Sequence, residues 1–383
     1  MSRAFVIVLD ACGVGALPDA AAYGDDPASN TLQHVAELAG GLDLPVMQSL
    51  GLGCIEPLAG VGRSASPVVH GRLRPLGPGK ESVTGHWELM GVVPQAPLPT
   101  YPEGFPVELV SELERATGAR FCCNRPYSGT QVIEDFGEHH LRTGELILYT
   151  SADSVLQIAA HHDVIDEPAL HSLCATAREV MQGEHAVGRV IARPFIGTPG
   201  AFVRTTGRHD YSVAPPSRSY LQELGAAGVP VHGVGKIRDL FAGVGIDASH
   251  PGATNPEAIA STKELIRTLD RGFVFVNLVD TDQVYGHRHD VPGFAGALQV
   301  IDDAIRGWLE YLGDEDLLVL TADHGVDPTA NHTDHTREYA MLLARFEGND
   351  GRRHDGLLAD VGASVLRWLT GRDAPDLPGE PFS

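Results

Sequence analysis

Short apolar runs recur along the chain, and three of them end on acidic residues. FVIVL at 5–9 stops at Asp10, FVFVNLV at 273–279 stops at Asp280, and LLVLTA at 317–322 runs into Asp323-His324-Gly325. Runs of this length without polar alternation read as strands buried on both faces of a parallel sheet. In open α/β sheets, ligands gather at the carboxyl ends of such strands. The acidic residues therefore stand where chemistry is expected.

Between and beyond these runs, apolar residues repeat at helical spacing over 31–39, 105–117, 167–182, 217–227, 256–270, 294–312 and 357–369, and a shorter helix is expected over 128–140. Further strands are expected at 146–149, 187–193, 229–235 and 340–344, and residues 40–80 are rich in Gly and punctuated by Pro, with short apolar stretches such as Ile55 to Val61. Strands alternating with helices predict βαβ units and a mostly parallel sheet. Prolines at 94, 97, 99 and 102, and the pair Pro215-Pro216, punctuate the pattern. They predict an α/β domain formed by 1–99 and 216–383, with an α+β domain inserted at 100–215.

The 383 residues carry 50 acidic and 28 basic side chains, a net charge of −22. That balance argues against a nucleic-acid or anionic-membrane surface. A phosphate substrate would need local cations, for which Arg189, Arg193, Arg204, Arg208, His209 and Lys236 are the candidates. Five cysteines, two of them the adjacent Cys122 and Cys123, form neither a metal-spacing motif nor a disulfide framework. This fits a reducing, cytoplasmic setting. No signal peptide and no apolar stretch of membrane-spanning length is read, and nothing calls for an obligate protein partner.

Asp10, Asp282, His287, Asp323, His324 and His335 supply carboxylates and imidazoles without a thiolate. Such a mixed O/N set suits Mn²⁺ or Zn²⁺ better than Mg²⁺ or Ca²⁺. Two ions about 3.5–4 Å apart clamp a phosphoryl oxygen and activate a nucleophile. A single Asp after a strand is also a common helix cap, so the weight rests on the ensemble. Spacing does not separate Asp280 from Asp282 as a ligand. Ser82 and Thr84, at the start of an expected helix, are each either a cap or a nucleophile. No GxSxG elbow is present. Asp153, among hydroxyls after a strand, could bind a sugar hydroxyl or cap a helix.

Nine blocks carry a family resemblance: VIVLDACGVGALPDA (6–20), GHWE (85–88), TSADSVLQIA (150–159), GRVIARPF (188–195), RHD (208–210), GKI (235–237), NLVDTDQVYGHRHD (277–290), TADHG (321–325) and DHTRE (334–338). Together and in this order, the chain resembles bacterial phosphopentomutases of the alkaline phosphatase superfamily. The resemblance implies an alkaline-phosphatase-like core with an inserted α+β cap that closes over the substrate. It implies interconversion of α-D-ribose 1-phosphate and D-ribose 5-phosphate, and of the 2-deoxyribose phosphates, in nucleoside and pentose phosphate metabolism. Two Mn²⁺ are implied, one on Asp10, Asp323, His324 and the nucleophile's oxygen, the other on Asp282, His287 and His335. A phosphoenzyme primed by a sugar bisphosphate such as glucose 1,6-bisphosphate is implied as well, with small-molecule sugar phosphates as the partners. For substrate contacts the candidates are Arg189, Arg208 and Lys236 at the distal phosphate and Asp153 at the sugar. The family's Lys-Asp-Thr run stands here as Lys80-Glu81-Ser82, which puts Ser82 at the nucleophile position and leaves Thr84 as its rival. A metal-dependent phosphatase or a phosphoglycerate mutase on the same core is the nearest alternative, and a noncatalytic sugar-phosphate binder a more distant one.

Overall fold

The computed structural model of the chain describes residues 2–151 and 153–383; Ala152, inside the 150–159 block, lies outside them. Contacts divide the chain into two compact units. One comprises residues up to Ala96 together with Pro215–Ser383, and the other Pro97–Ala214.

The first unit is built on a nine-stranded sheet. Its parallel half runs Ala248–His250, Val231–Val234, Gly272–Leu278, Arg3–Leu9 and Asp316–Thr321 in spatial order. Glu338–Arg345 then pairs antiparallel with Asp316–Thr321, with Val69–Arg74 and with the short Gly13–Ala16 strand. Residues 4–9 and 273–278 are fully buried, as expected of strands covered on both faces. The Ala359–Thr370 helix lies against Arg3–Leu9 and Asp316–Thr321, and the Asn255–Thr268 helix against Gly272–Leu278.

Register positions the chemistry. Val8 lies opposite both Asn277 and Thr321, so the three middle strands end level with one another. At the other end, Arg3 grips Asp316 with two hydrogen bonds, Nε to Oδ1 at 2.8 Å and Nη2 to Oδ2 at 2.7 Å. A bidentate pair of this kind fixes geometry as well as adding energy. A slip of one residue would turn each strand's buried side chains to the opposite face.

The 40–80 segment, to which the sequence reading assigned no elements, is in part regular. It holds helices Pro45–Leu50 and Leu52–Ile55 and the strand Val69–Arg74. That strand reads VHGRLR, and its polar positions hide it from an apolar-run criterion. Gly71 is required there because the His354 backbone leaves no room for a Cβ.

The second unit has a six-stranded sheet in the order Phe121–Pro126, Leu146–Thr150, Val155–His161, Arg189–Ile196 and Val203–Arg204, with His209–Ser212 paired to Arg189–Ile196. Strand alternation divides its core in two. Leu146, Leu148, Leu156, Ile158 and Val190 pack against Leu109 and Leu113 of the Val107–Thr117 helix and Leu170 and Cys174 of the Glu167–Val180 helix. Ile147, Tyr149, Ala159 and Phe195 face Val132 and Ile133 of the Gln131–Thr143 helix. Phe121–Pro126 and Val155–His161 have no counterpart in the sequence expectation. The first is interrupted by polar residues and a register shift near Cys123, and the second follows a hydroxyl-rich stretch that reads as a loop.

Among the described residues, no helix is long and apolar enough to cross a membrane. All five cysteines are unpaired.

Replacing Leu320, fully buried on a central strand, with Ala should destabilise the protein by about 2–5 kcal/mol. Denaturant unfolding checks this, and a loss below about 0.5 kcal/mol would mean that this strand is not packed as described.

Candidate metal centre

Three acidic residues leave three adjacent parallel strands. Asp10 directly follows Arg3–Leu9, and its amide donates to the Leu278 carbonyl at 3.2 Å. Ala11 takes a positive φ of 64°, and its amide donates to Asp323 Oδ1 at 3.3 Å. After Gly272–Leu278 the chain makes one π-helical turn, Thr281–Tyr285, then a 3₁₀ turn, Gly286–Arg288. Such turns recur at functional sites because they re-aim side chains. Here they set His287 Nε2 3.3 Å from Asp282 Oδ1. His335, from the loop before Glu338–Arg345, places its own Nε2 3.3 Å from the same oxygen.

The other half of the cluster forms around His324. Its Nε2 lies 3.3 Å from Asp10 Oδ1, 3.4 Å from Asp323 Oδ2 and 2.9 Å from Ser82 Oγ. Ser82 Oγ is in turn 3.4 Å from Asp10 Oδ1. The rings of His324 and His335 stack with centroids 3.9 Å apart. Two donor sets, Asp10/Asp282/His324 and Asp282/His287/His335, each have their ligand atoms within 4.8 Å of one another. Asp282 belongs to both, so the sets adjoin.

All six candidate ligands and Ser82 therefore come together. Asp280 does not join them. Its Oδ2 accepts from the Asn255 amide and its own amide donates to Asn255 Oδ1, both at 3.0 Å, so it braces the start of the Asn255–Thr268 helix. Ser82 is the first residue of the Ser82–Leu89 helix and is half-buried. Thr84 is buried and donates its hydroxyl to the Glu81 carbonyl at 3.1 Å. The helix sits close to the end of the Asp316–Thr321 strand because residue 85 is glycine: a Cβ there would come within 2.6 Å of the Asp323 carbonyl oxygen.

Several supporting residues were not singled out by sequence reasoning. His86 is fully buried; its Nδ1 donates to the Ser82 carbonyl at 2.8 Å and lies 3.1 Å from Asp323 Oδ2. Asn277 donates to Asp10 Oδ2 at 2.8 Å, and Thr281 Oγ1 to the Asp10 carbonyl at 2.6 Å. Glu338 accepts from the Thr31 amide and hydroxyl and from the Thr336 hydroxyl, at 2.9, 2.7 and 2.7 Å. Asn277 left a signal, as the one amide in an otherwise apolar strand.

Residues 2–371 match the Metalloenzyme superfamily. Two curated relatives are phosphopentomutases. That of Caldanaerobacter subterraneus subsp. tengcongensis is 49% identical over 370 residues, spanning 95% of this chain and 93% of its own. That of Dictyoglomus thermophilum is 49% identical over 387 residues, spanning 100% and 98%. The chain belongs to the phosphopentomutase family. It is an isomerase by that membership. In fold it is also similar to a Leishmania mexicana phosphoglycerate mutase, with a TM-score of 0.50 at 13% identity over 99% of this chain and 97% of that one. The core is thus alkaline-phosphatase-like, with an α+β unit inserted.

The cluster of this phosphopentomutase-family enzyme fits divalent cations. Asp282 Oδ1, Asp323 Oδ2 and both ring nitrogens of His335 are buried without a well-aligned hydrogen bond; the two carboxylate oxygens meet only imidazole nitrogens at 3.1–3.4 Å, whereas buried polar atoms are ordinarily satisfied. Burial and the neighbouring Asp323 and Asp282 raise the Asp10 carboxyl above its usual range. Burial opposes protonation of His324, yet Asp323, Asp10 and Asp282 push it up to about 10. The Asp282 carboxylate beside it pushes His287 up to about 9. Against burial, His324 and His86 hold Asp323 down to about 2. Protons on the imidazoles thus occupy the electrostatic role that cations would take.

The inserted unit carries a second charged cluster. Arg208 grips Asp210 with two bonds of 2.7 and 2.6 Å, and Arg189 Nη1 lies 3.4 Å from the same carboxylate. Arg193 donates to Gln157 Oε1 at 3.1 and 2.9 Å, and Arg204 to the Gly129 carbonyl at 3.1 Å. Burial and the neighbouring Arg208 and Arg204 guanidinium groups pull Arg193 below its usual value. The Tyr149 hydroxyl, near Arg193, Arg204 and Arg208, is buried without a hydrogen-bond partner. Of these four guanidinium groups only Arg208 and Arg189 pair with Asp210, which leaves a local excess of positive charge in an acidic chain. Asp153 is exposed. Lys236, in the first unit, donates to Gln283 Oε1 at 2.6 Å.

Cation binding should release protons, because His324 and His287 are protonated at neutral pH in the cation-free enzyme and only neutral imidazole ligates. Apparent affinity should rise from neutral pH towards about 10, where the release vanishes. Calorimetry in buffers of different ionisation enthalpy measures both, and an affinity that falls over this range would contradict the assignment.

Proposed function

We propose that this enzyme interconverts α-D-ribose 1-phosphate and D-ribose 5-phosphate, and likewise the 2-deoxyribose phosphates, through a phosphoenzyme on Ser82. The observation that carries the reading is the position of Ser82 Oγ, 2.9 Å from His324 Nε2 and 3.4 Å from Asp10 Oδ1 at the first residue of a helix. A half-buried hydroxyl there is reachable, and the positive end of the helix favours phosphate. Thr84, in the same first turn, is buried and its hydroxyl is engaged by the Glu81 carbonyl.

Asp10, Asp323, His324 and the Ser82 oxygen would hold one Mn²⁺, and Asp282, His287 and His335 the other. Bound cations would withdraw charge from the phosphoryl oxygens and ease ionisation of the Ser82 hydroxyl. Phospho-Ser82 gives its phosphoryl group to the free hydroxyl of the pentose monophosphate. The bond from phosphorus to Ser82 Oγ breaks as the bond to the sugar oxygen forms, and Ser82 regains a proton as the sugar hydroxyl loses one. The bisphosphate then presents its other phosphate, Ser82 Oγ takes it, and the isomer leaves. His86 holds the Ser82 backbone and the Asp323 carboxylate in one frame, while Asn277 keeps Asp10 oriented.

Arg189 and Arg208 are the proposed contacts to the distal phosphate, together with Lys236, and Asp153 to the sugar. The excess of guanidinium groups around Asp210 supports this part of the reading, since Arg binds phosphate in bidentate fashion. A sugar bisphosphate such as glucose 1,6-bisphosphate would load Ser82 initially.

Phosphorus NMR of the enzyme with Mn²⁺, ribose 1-phosphate and a trace of glucose 1,6-bisphosphate should show ribose 5-phosphate accumulating with little inorganic phosphate. Steady release of inorganic phosphate without isomerisation would indicate a phosphatase instead. Ser82→Ala should lose phosphate incorporation and at least about a thousandfold in turnover while still binding cations. Full incorporation in Ser82→Ala would transfer the role to another residue, with Thr84 the first to examine.

A further inference from the structure

A third donor cluster lies in the inserted unit, built from other elements and another ligand chemistry. Cys122 is on the Phe121–Pro126 strand, His139 on the last turns of the Gln131–Thr143 helix, and Glu145 just beyond that helix. The helix ends at Gly144 in the left-handed conformation, φ 77°. That reversal brings Glu145 back to His139, with His139 Nε2 and Glu145 Oε2 2.7 Å apart. Cys122 is paired in parallel register with Ile147, two residues after Glu145, so the thiol is held beside both. The three ligand atoms lie within 4.8 Å of one another, the same spacing that marks the two sets of the metal centre.

We propose that Cys122, His139 and Glu145 form a binding site for a single soft or borderline divalent cation, zinc in class, separate from the aspartate–histidine centre. A sulfur, a nitrogen and a carboxylate oxygen are three of the ligand types zinc takes, and three protein ligands leave a fourth tetrahedral position for water. Thiolate selects such ions over Mn²⁺ and Mg²⁺. The charges close: a thiolate and a carboxylate balance a 2+ ion, and the imidazole stays neutral. All three side chains are half-buried, so the ion reaches the site from solvent without opening the core. The thiol's nearest backbone acceptors are the Leu146 and Glu145 carbonyls, 3.6 and 4.0 Å away, which leaves it weakly engaged. Burial and the Glu145 carboxylate push the thiol up to about 12, so the incoming ion displaces its proton.

The site would clamp an edge. Phe121–Pro126 is the terminal strand of its sheet, and it is irregular immediately after Cys122, where Cys123 and Asn124 have φ of 76° and 45°. An ion shared by Cys122 and the helix end would fasten this strand to the element packed behind its neighbour.

Cadmium is the probe, because a cadmium–thiolate bond gives an ultraviolet charge-transfer band that oxygen and nitrogen ligands do not. With the aspartate–histidine centre saturated by Mn²⁺ and the protein kept reduced, titration should give a band that saturates at one equivalent per chain. Cys122→Ser should abolish the band although Cys123 is retained. His139→Ala and Glu145→Gln should each weaken cadmium by at least about tenfold, with circular dichroism confirming the fold. Absence of the band in the unaltered protein, or a band of full intensity in Cys122→Ser, would overturn the proposal. So would unchanged affinity in both His139→Ala and Glu145→Gln, which decides the matter should Cys122→Ser fail to fold.

Discussion

Three carboxylates cannot share the end of one sheet unless positive charge is placed among them. Two unit charges about 4 Å apart repel by roughly 4 kcal/mol at the effective dielectric of a partly buried site, and Asp10, Asp282 and Asp323 are all buried. The fold forces them together, because Arg3–Leu9 lies between Gly272–Leu278 and Asp316–Thr321 in matched register. In the cation-free protein the imidazoles of His324 and His287 hold the balance, with values of about 10 and about 9. The surroundings follow from this constraint. Gly85 lets a helix approach Asp323, His86 joins that helix to the carboxylate, and Ser82 is delivered to the cluster as the helix's first residue.

The middle of the sheet was legible in the sequence because strands covered on both faces need no polar positions. The runs at 5–9, 273–279 and 317–322 announced both the strands and the ends at which chemistry would sit. Other strands were not legible, for an opposite reason. Val69–Arg74 alternates with His, Gly and Arg, and Phe121–Pro126 is an edge strand broken by a bulge, so neither forms an apolar run. The site divides in the same way. Residue type identified the six candidate ligands, but spacing could not separate Asp280 from Asp282, because a π-helical turn between the strand and the loop decides which one faces the cluster. His86, Thr281 and Glu338 act through long-range contacts that local pattern does not encode.

Charge is distributed unevenly for a chain of net −22. The first unit concentrates carboxylates and imidazoles, and the inserted unit concentrates guanidinium groups around Asp210. Sulfur is kept out of both candidate ligand sets at the strand ends and appears in the Cys122 cluster instead. Hard and soft candidate ligands are thus separated between the two units.

The central claim is that residues from three strand ends and two loops converge on one centre for two cations. Electron paramagnetic resonance of the Mn²⁺-loaded enzyme tests it most directly, since two ions about 3.5–4 Å apart are spin-coupled and isolated ions are not. The account predicts two equivalents of Mn²⁺ per chain and a coupled signal that Asp282→Asn abolishes, because Asp282 adjoins both sets. Only uncoupled, mononuclear signals at full loading, or a coupled signal that survives Asp282→Asn, would contradict it.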